Sequence, residues 1–75
     1  VKVQREVEGT GRLSNMIGAL ECVTEHGVTF NVGTGLSDLE RSKWGEYKDK
    51  FIEIEYEQLL KMTPQQPAYK RLVND

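Results

Sequence analysis

The chain has 75 residues, with ten Lys and Arg against twelve Asp and Glu and a formal net charge of −2 at pH 7. With 37% apolar residues, it is predicted to be one soluble domain spanning residues 1–75. That is near the lower size at which a single core holds without staples. The acidic balance excludes a uniformly basic nucleic-acid binder: any such role needs charge gathered on one face, or a partner domain that supplies most of the contacts.

The lone Cys22 leaves no internal disulfide, and no Cys/His cluster has metal-ligand spacing. No bound metal is therefore expected, and a reducing, cytoplasmic setting is the default. No apolar run reaches the length of a membrane span and no signal peptide is visible at Val1, so no membrane partner is expected. The chain lacks an initiator Met and is read as a fragment or a processed product.

Residues 1–8 alternate, with Val1, Val3 and Val7 on one side and Lys2, Gln4, Glu6 and Glu8 on the other, which predicts a first strand. Arg5 interrupts the apolar side, marking a bend or a barrel rim. Gly9-Thr10-Gly11 ends the strand, and residues 12–16 form a polar loop. A second strand over 17–24 carries Gly18, a bulge or a close backbone approach. Glu25-His26-Gly27 turns tightly into a third strand over 28–32. Gly33 and Gly35 then break the alternation, and Ser37 or Asp38 offers an N-cap. One or two helical turns follow over 37–44, stopped by Gly45. Residues 46–50 are a charged connector. A fourth strand over 51–59 puts Ile52, Ile54 and Tyr56 inward and Glu53, Glu55 and Glu57 outward. Both prolines lie in a loop over 61–67, residues 68–73 form a last strand, and Asn74-Asp75 is a fraying end. Cys22, Phe30 and Tyr56 are expected in the core and Trp44 as the plug of one barrel end. His26 stands alone in its turn, with no partner for catalysis.

Five short strands with a short helix between the third and fourth is the order of an all-β OB-fold, a Greek-key barrel. Closing the sheet removes most unpaired edges, which suits a small β-rich chain.

Gly9-Thr10-Gly11-Arg12, Gly18-Ala19-Leu20 and the run from Gly27 to Arg41 (GVTFNVGTGLSDLER), followed by Ile54 to Leu59 and Pro64 to Arg71, resemble a known family. The resemblance, over nearly the whole chain, is to the C-terminal OB domain of small, bacterial or phage-type ATP-dependent DNA ligases. It implies a parent enzyme that seals nicks with ATP and a divalent metal (Mg). In such enzymes an adenylation domain carries the lysine that takes AMP, and the OB domain engages nicked duplex DNA. The chain has no Lys-x-Asp-Gly nucleophile motif, so it is expected to be non-catalytic alone and to hold no cofactor itself. The implied compartment is the cytoplasm of a bacterial or phage-infected cell. The chain departs from the family pattern at Gln65 and Val73, where basic residues are usual, leaving Lys70 and Arg71 as the candidates for orienting the nucleotide phosphates.

Arg12, Ser14 and Asn15 are the candidate donors to DNA phosphate or sugar oxygens, contacts that position a duplex without reading its sequence. Thr34 and Gly35 offer backbone N–H groups to a phosphate, weighed against a role in turn geometry alone. Lys43 and Arg41 are candidates on the short helix, with Arg41 weighed against an ion pair to Asp38 or Glu40. Lys48 and Lys50 present one basic edge, or a solvated charge run. Glu53, Glu55 and Glu57 form an acidic stripe whose face should point away from DNA. The rival readings are an independent module for single strands, which calls for exposed aromatics on a basic face, and a protein-interaction barrel.

Overall fold

Strand β1 (Lys2–Glu8) pairs antiparallel with β2 (Ile17–Val23), and β2 with β3 (Thr29–Val32), in one three-stranded sheet. In the computed structural model, which describes residues 1–73, the fraying expected at Asn74 and Asp75 lies outside the described residues. The β1–β2 ladder slips between Val3 and Arg5. This bulge buries Val3 yet turns Arg5 to solvent, where it pairs with Glu21 across the ladder at 3.3 Å. A second slip, between Val7 and Glu8, sets Gly18 out of register. A Cβ on Gly18 would stand 2.4 Å from the Gly9 Cα, so the position is both bulge and close approach. Thr24 closes the β2–β3 hairpin by accepting from the His26 and Val28 amides.

The chain then turns into α1 (Asp38–Arg41). The Ser37 hydroxyl accepts from the Glu40 amide and the Glu40 carboxylate accepts from the Ser37 amide, a reciprocal capping box. So short a helix needs such ends, because nucleation is unfavourable.

Strand β4 (Ile52–Glu55) is followed by β5 (Leu59–Leu60) and β6 (Thr63–Pro64), which pair as a hairpin, and by β7 (Ala68–Leu72), which pairs with β4. Lys61 and Met62 at the hairpin turn both take positive φ (51 and 67), as a type I′ turn requires. The described residues therefore hold seven strands rather than five: the fourth ends at Glu55, and the expected 61–67 loop contains part of a ladder. Two-residue strands are too short to display alternation, and Pro64 hides the pairing further.

Isolated bridges carry the sheets around a ring. Lys2 pairs with Phe51, joining β1 to β4, and Thr34 pairs in parallel with Ala68, joining the end of β3 to β7. At the second seam the Tyr69 amide donates to the Thr34 carbonyl at 2.7 Å. Gly35 (φ 92) is obligatory there, because a Cβ would meet the Tyr69 carbonyl oxygen at 2.4 Å. The order β3-β2-β1-β4-β7, with single bridges at two seams and a helical turn between β3 and β4, is an all-β OB-like fold, but the strands form three sheets rather than the one closed sheet expected.

The core is Val3, Ile17, Leu20, Cys22, Val32, Leu36, Tyr47, Ile52 and Tyr69, with Phe30 and Ile54 packed against it. Two aromatic expectations are corrected. Trp44 is 45% exposed, and the plug is Tyr47 at 2%. The Tyr47 hydroxyl donates to the Glu40 carbonyl at 3.1 Å, and its ring stands edge-on to Tyr69 at 5.9 Å. The cause is Glu6, whose carboxylate accepts from the Gly45, Tyr47 and Lys48 amides and draws the connector onto β1. Tyr56 lies past the end of β4 and is also 45% exposed.

Burial pushes the Tyr47 hydroxyl up to about 12 and the Cys22 thiol up to about 11. Both groups are held neutral by folding, so their stabilisation is complete below the unfolded values and is lost as pH rises. The loss runs from about pH 9 to 11 for Cys22 and from about pH 10 to 12 for Tyr47. Tyr47→Phe should flatten the upper part of this decline and cost about 1 kcal/mol at neutral pH for the hydrogen bond to Glu40. Denaturant melts at neutral pH and through the alkaline window measure both effects.

Candidate nucleic-acid interface

The loop after β1 is set by its backbone. Gly11 (φ 58), the first residue of a 3-10 turn over Gly11–Leu13, and Asn15 (φ 66), two residues past its end, take left-handed conformations. Asn visits that region more readily than most residues. The Gly9 amide donates to the Met16 carbonyl at 2.9 Å, and the Asn15 amide to the Glu8 carboxylate at 3.2 Å. Two further contacts lean the loop on the α1 segment: Arg12 pairs with Asp38 at 3.5 Å, and the Trp44 indole N–H donates to the Asn15 carbonyl at 3.2 Å. The side chains of Arg12, Ser14 and Asn15 remain exposed.

Arg41 does not form the ion pair weighed for it. Its guanidinium donates to the carbonyls of Ile17 (2.9 Å), Gly18 (2.8 Å) and Gly33 (2.6 Å). The β2–β3 ladder begins only at Leu20 and Val32, so these carbonyls lie beyond its last pair. A planar fork of donors suits such a cluster, while the nearby carboxylates are occupied, Glu40 by Ser37 and Asp38 by Arg12.

Lys43, Lys48 and Lys50 are exposed, and among the described residues none pairs with a carboxylate. Glu6 fixes the backbone at Lys48, and the Val3 amide donates to the Lys50 carbonyl, so the connector lies along the edge of β1. Arg12, Ser14, Asn15 and Lys43 thus gather at one end of the barrel, with Lys48 and Lys50 on the adjoining edge. Thr34 and Gly35 are exposed at the β3–β7 seam.

Lys70 and Arg71 stand apart on the outer side of the β4–β7 sheet. Lys70 pairs with Glu55 at 2.9 Å, and Arg71 takes both oxygens of Glu53, at 3.0 and 3.4 Å. The acidic stripe is therefore largely neutralised, with Glu57 as its member lacking a cationic partner among the described residues. A concavity of about 890 Å³ is lined in part by Phe51, Tyr56, Leu59, Met62 and Val73, each roughly half exposed. No group of His, Cys, Asp and Glu among the described residues is arranged to hold a metal ion, and no helix among them is long and apolar enough to cross a membrane.

Sequence reasoning missed the exposure of Trp44 and the anchoring role of Glu6. An outward Glu on a strand carries no signal of the amides it will meet some forty residues later.

An OB ring with cations on one end and edge defines the class: a small barrel with a surface suited to polyanions. The DNA ligase OB-like domain family matches residues 8–72, and the chain belongs to that family. A solved chain, described as a structure-function analysis of Lig E DNA ligases and of DNA binding with a minimal scaffold, superposes with a TM-score of 0.86 at 27% identity. The match covers 96% of this chain and 28% of that ligase, so the chain spans about a quarter of the ligase's length. No curated protein sequence matches it.

Arg41→Lys tests the carbonyl clip, because one ammonium cannot reproduce a fork across two strands. The expected loss is about 2–4 kcal/mol, close to that of Arg41→Ala, given three charge-assisted bonds to backbone. Thermal melts followed by circular dichroism read it; a lysine variant as stable as the parent would refute the clip.

Proposed function

We propose that this chain is the OB domain of an ATP-dependent DNA ligase, engaging nicked duplex DNA and assisting an adenylation domain in nick sealing. The observation that carries the reading is the run of cations without carboxylate partners, Lys43, Lys48 and Lys50, continuing from the Arg12 loop on a barrel of the ligase OB family. Arg12, Ser14, Asn15 and the three lysines donate to phosphate and sugar oxygens. Such contacts hold a duplex in register without reading its bases, as a nick-sealing enzyme requires. The Thr34 and Gly35 amides adjoin this surface, and Arg41 supports it by holding α1 in place.

Lys70 and Arg71 are assigned to the nucleotide phosphates. Their pairs with Glu55 and Glu53 are exposed. Exposed pairs are worth about 0–1 kcal/mol, so exchanging a carboxylate for a phosphate costs little. With Gln65 and Val73 nearby, they are the cations of this segment. ATP supplies the AMP that activates the nick. The donors for a divalent metal are not assembled among the described residues, so no step here runs through the metal. The apolar groove supports a protein partner, which in this reading is the adenylation domain, in the cytoplasm of a bacterial or phage-infected cell.

An NMR titration with nicked duplex, intact duplex and single strands, at low and moderate salt, tests the DNA face. Salt-sensitive shifts at Arg12–Asn15, Lys43, Lys48 and Lys50, strongest with duplex, are expected; a preference for single strands points to an independent module instead. Arg12→Ala should weaken nick binding several-fold and lower the salt slope by about one. Arg71→Ala, in a ligase carrying this domain, should slow enzyme adenylylation and leave nick affinity unchanged. Adenylylation at the parent rate would remove Arg71 from the phosphate role.

A further inference from the structure

Among the described residues, eight large hydrophobic side chains are substantially exposed, and five of them, Phe51, Tyr56, Leu59, Met62 and Val73, share the apolar groove. Trp44 lies outside it, among the cations. It follows Lys43, precedes Lys48 by four residues and leans on the Asn15 loop. Its one polar atom is already satisfied, since the indole N–H donates to the Asn15 carbonyl. Hydration of that N–H therefore does not explain the exposure, and what faces outward is the apolar ring. Its placement is not forced by a core, because the barrel plug is Tyr47, three residues on. Of the carboxylates near this face, Glu6 is turned to the connector amides, Glu8 to the Asn15 amide and Asp38 to Arg12, while Glu46 and Asp49 stand exposed on the connector beside Lys48 and Lys50.

An aromatic ring interleaved with cations is the composition by which proteins hold nucleic acid, cations on the phosphates and ring on the apolar parts of the nucleotide. We infer that Trp44 is a DNA contact: its ring packs on the apolar face of a backbone sugar of the nicked duplex, while its N–H keeps the Asn15 loop set. The inference rests on the ligase reading above and adds to it the one side chain that links the loop donors to the lysine edge.

Trp44 is the single tryptophan of the chain, so emission excited at the red edge, where the three tyrosines do not absorb, reports this side chain alone. The experiment titrates the chain with dye-labelled nicked duplex at low salt, following dye anisotropy, indole emission and acrylamide quenching together. The expected result is an emission change and a drop in quenching with the same midpoint as the anisotropy. Trp44→Ala should weaken binding about tenfold, as truncation of a central aromatic contact does. Trp44→Phe, which keeps a ring and loses the N–H, should retain most of the affinity. The wild-type quenching measurement needs no variant to fold. Anisotropy that reports binding while emission, quenching and the Trp44→Ala affinity stay unchanged would overturn the inference and leave the ligase reading standing. A larger emission change with single strands than with nicked duplex would overturn the sugar contact in favour of base stacking. Absence of binding to any DNA at low salt would overturn both readings together.

Discussion

The structure depends on how the unpaired end of β2 is satisfied. Strand β3 leaves the ladder after Val32, yet β2 continues back to Ile17 beside β1. The carbonyls of Ile17, Gly18 and Gly33 would then have no strand to bond. A buried or half-buried carbonyl without a partner costs about as much as a lost hydrogen bond. The Arg41 guanidinium fills the role of the missing strand with donors to all three. The glycines make this feasible: a Cβ on Gly33 would stand 2.9 Å from the Gly18 carbonyl oxygen, and β2 could not pass so close. Because Arg41 is the last residue of α1, the same bonds fix where the chain leaves the helix. That exit places Trp44 on Asn15 and starts the connector toward β1.

Glu6 completes the sequence of constraints. Its two oxygens accept three amides from the connector, a backbone nest closed by a carboxylate rather than by a bound anion. The connector is thereby laid against β1 with Tyr47 turned into the core and Lys48 and Lys50 turned out. Elsewhere carboxylates are engaged by amides at Glu8 and Glu40 and by cations at Glu21, Asp38, Glu53 and Glu55, while the connector carries exposed Glu46 and Asp49 beside Lys48 and Lys50, so its lysines face solvent on an edge of mixed charge.

Much of the barrel was legible because its longer strands bury one side. The alternation of residues 1–8 and 28–32, the Arg5 bend, the Gly18 bulge and the helix after Ser37 all follow from local rules, and the OB order follows from them. The β5–β6 hairpin was not legible, since two-residue strands have no period and its turn uses Lys61 and Met62 where glycine or asparagine would have signalled it. Trp44 and Tyr47 were exchanged for a different reason. Their sequence contexts are equally polar, and which one enters the core is decided by Glu6, distant in the chain. That Arg12, Lys43, Lys48 and Lys50 are exposed was legible; that Arg41 belongs to the scaffold was not, because its partners are carbonyls and carbonyls leave no trace in a sequence.

The two groups of cations differ in how firmly they are held. Lys43, Lys48 and Lys50 lie on backbone anchored by Glu6 and the β1 edge, but their ammonium groups have no protein partner among the described residues. A polyanion arriving there displaces only mobile counterions, so association is fast and salt-sensitive. Lys70 and Arg71 instead sit in geometric pairs with Glu55 and Glu53, the arginine two-pronged. An anion must displace a carboxylate to reach them, but exposed pairs are worth only about 0–1 kcal/mol, so the competition is one of geometry more than of energy. On one barrel the β1 edge thus carries lysines open to solvent, and the β7 face cations already held in geometric pairs.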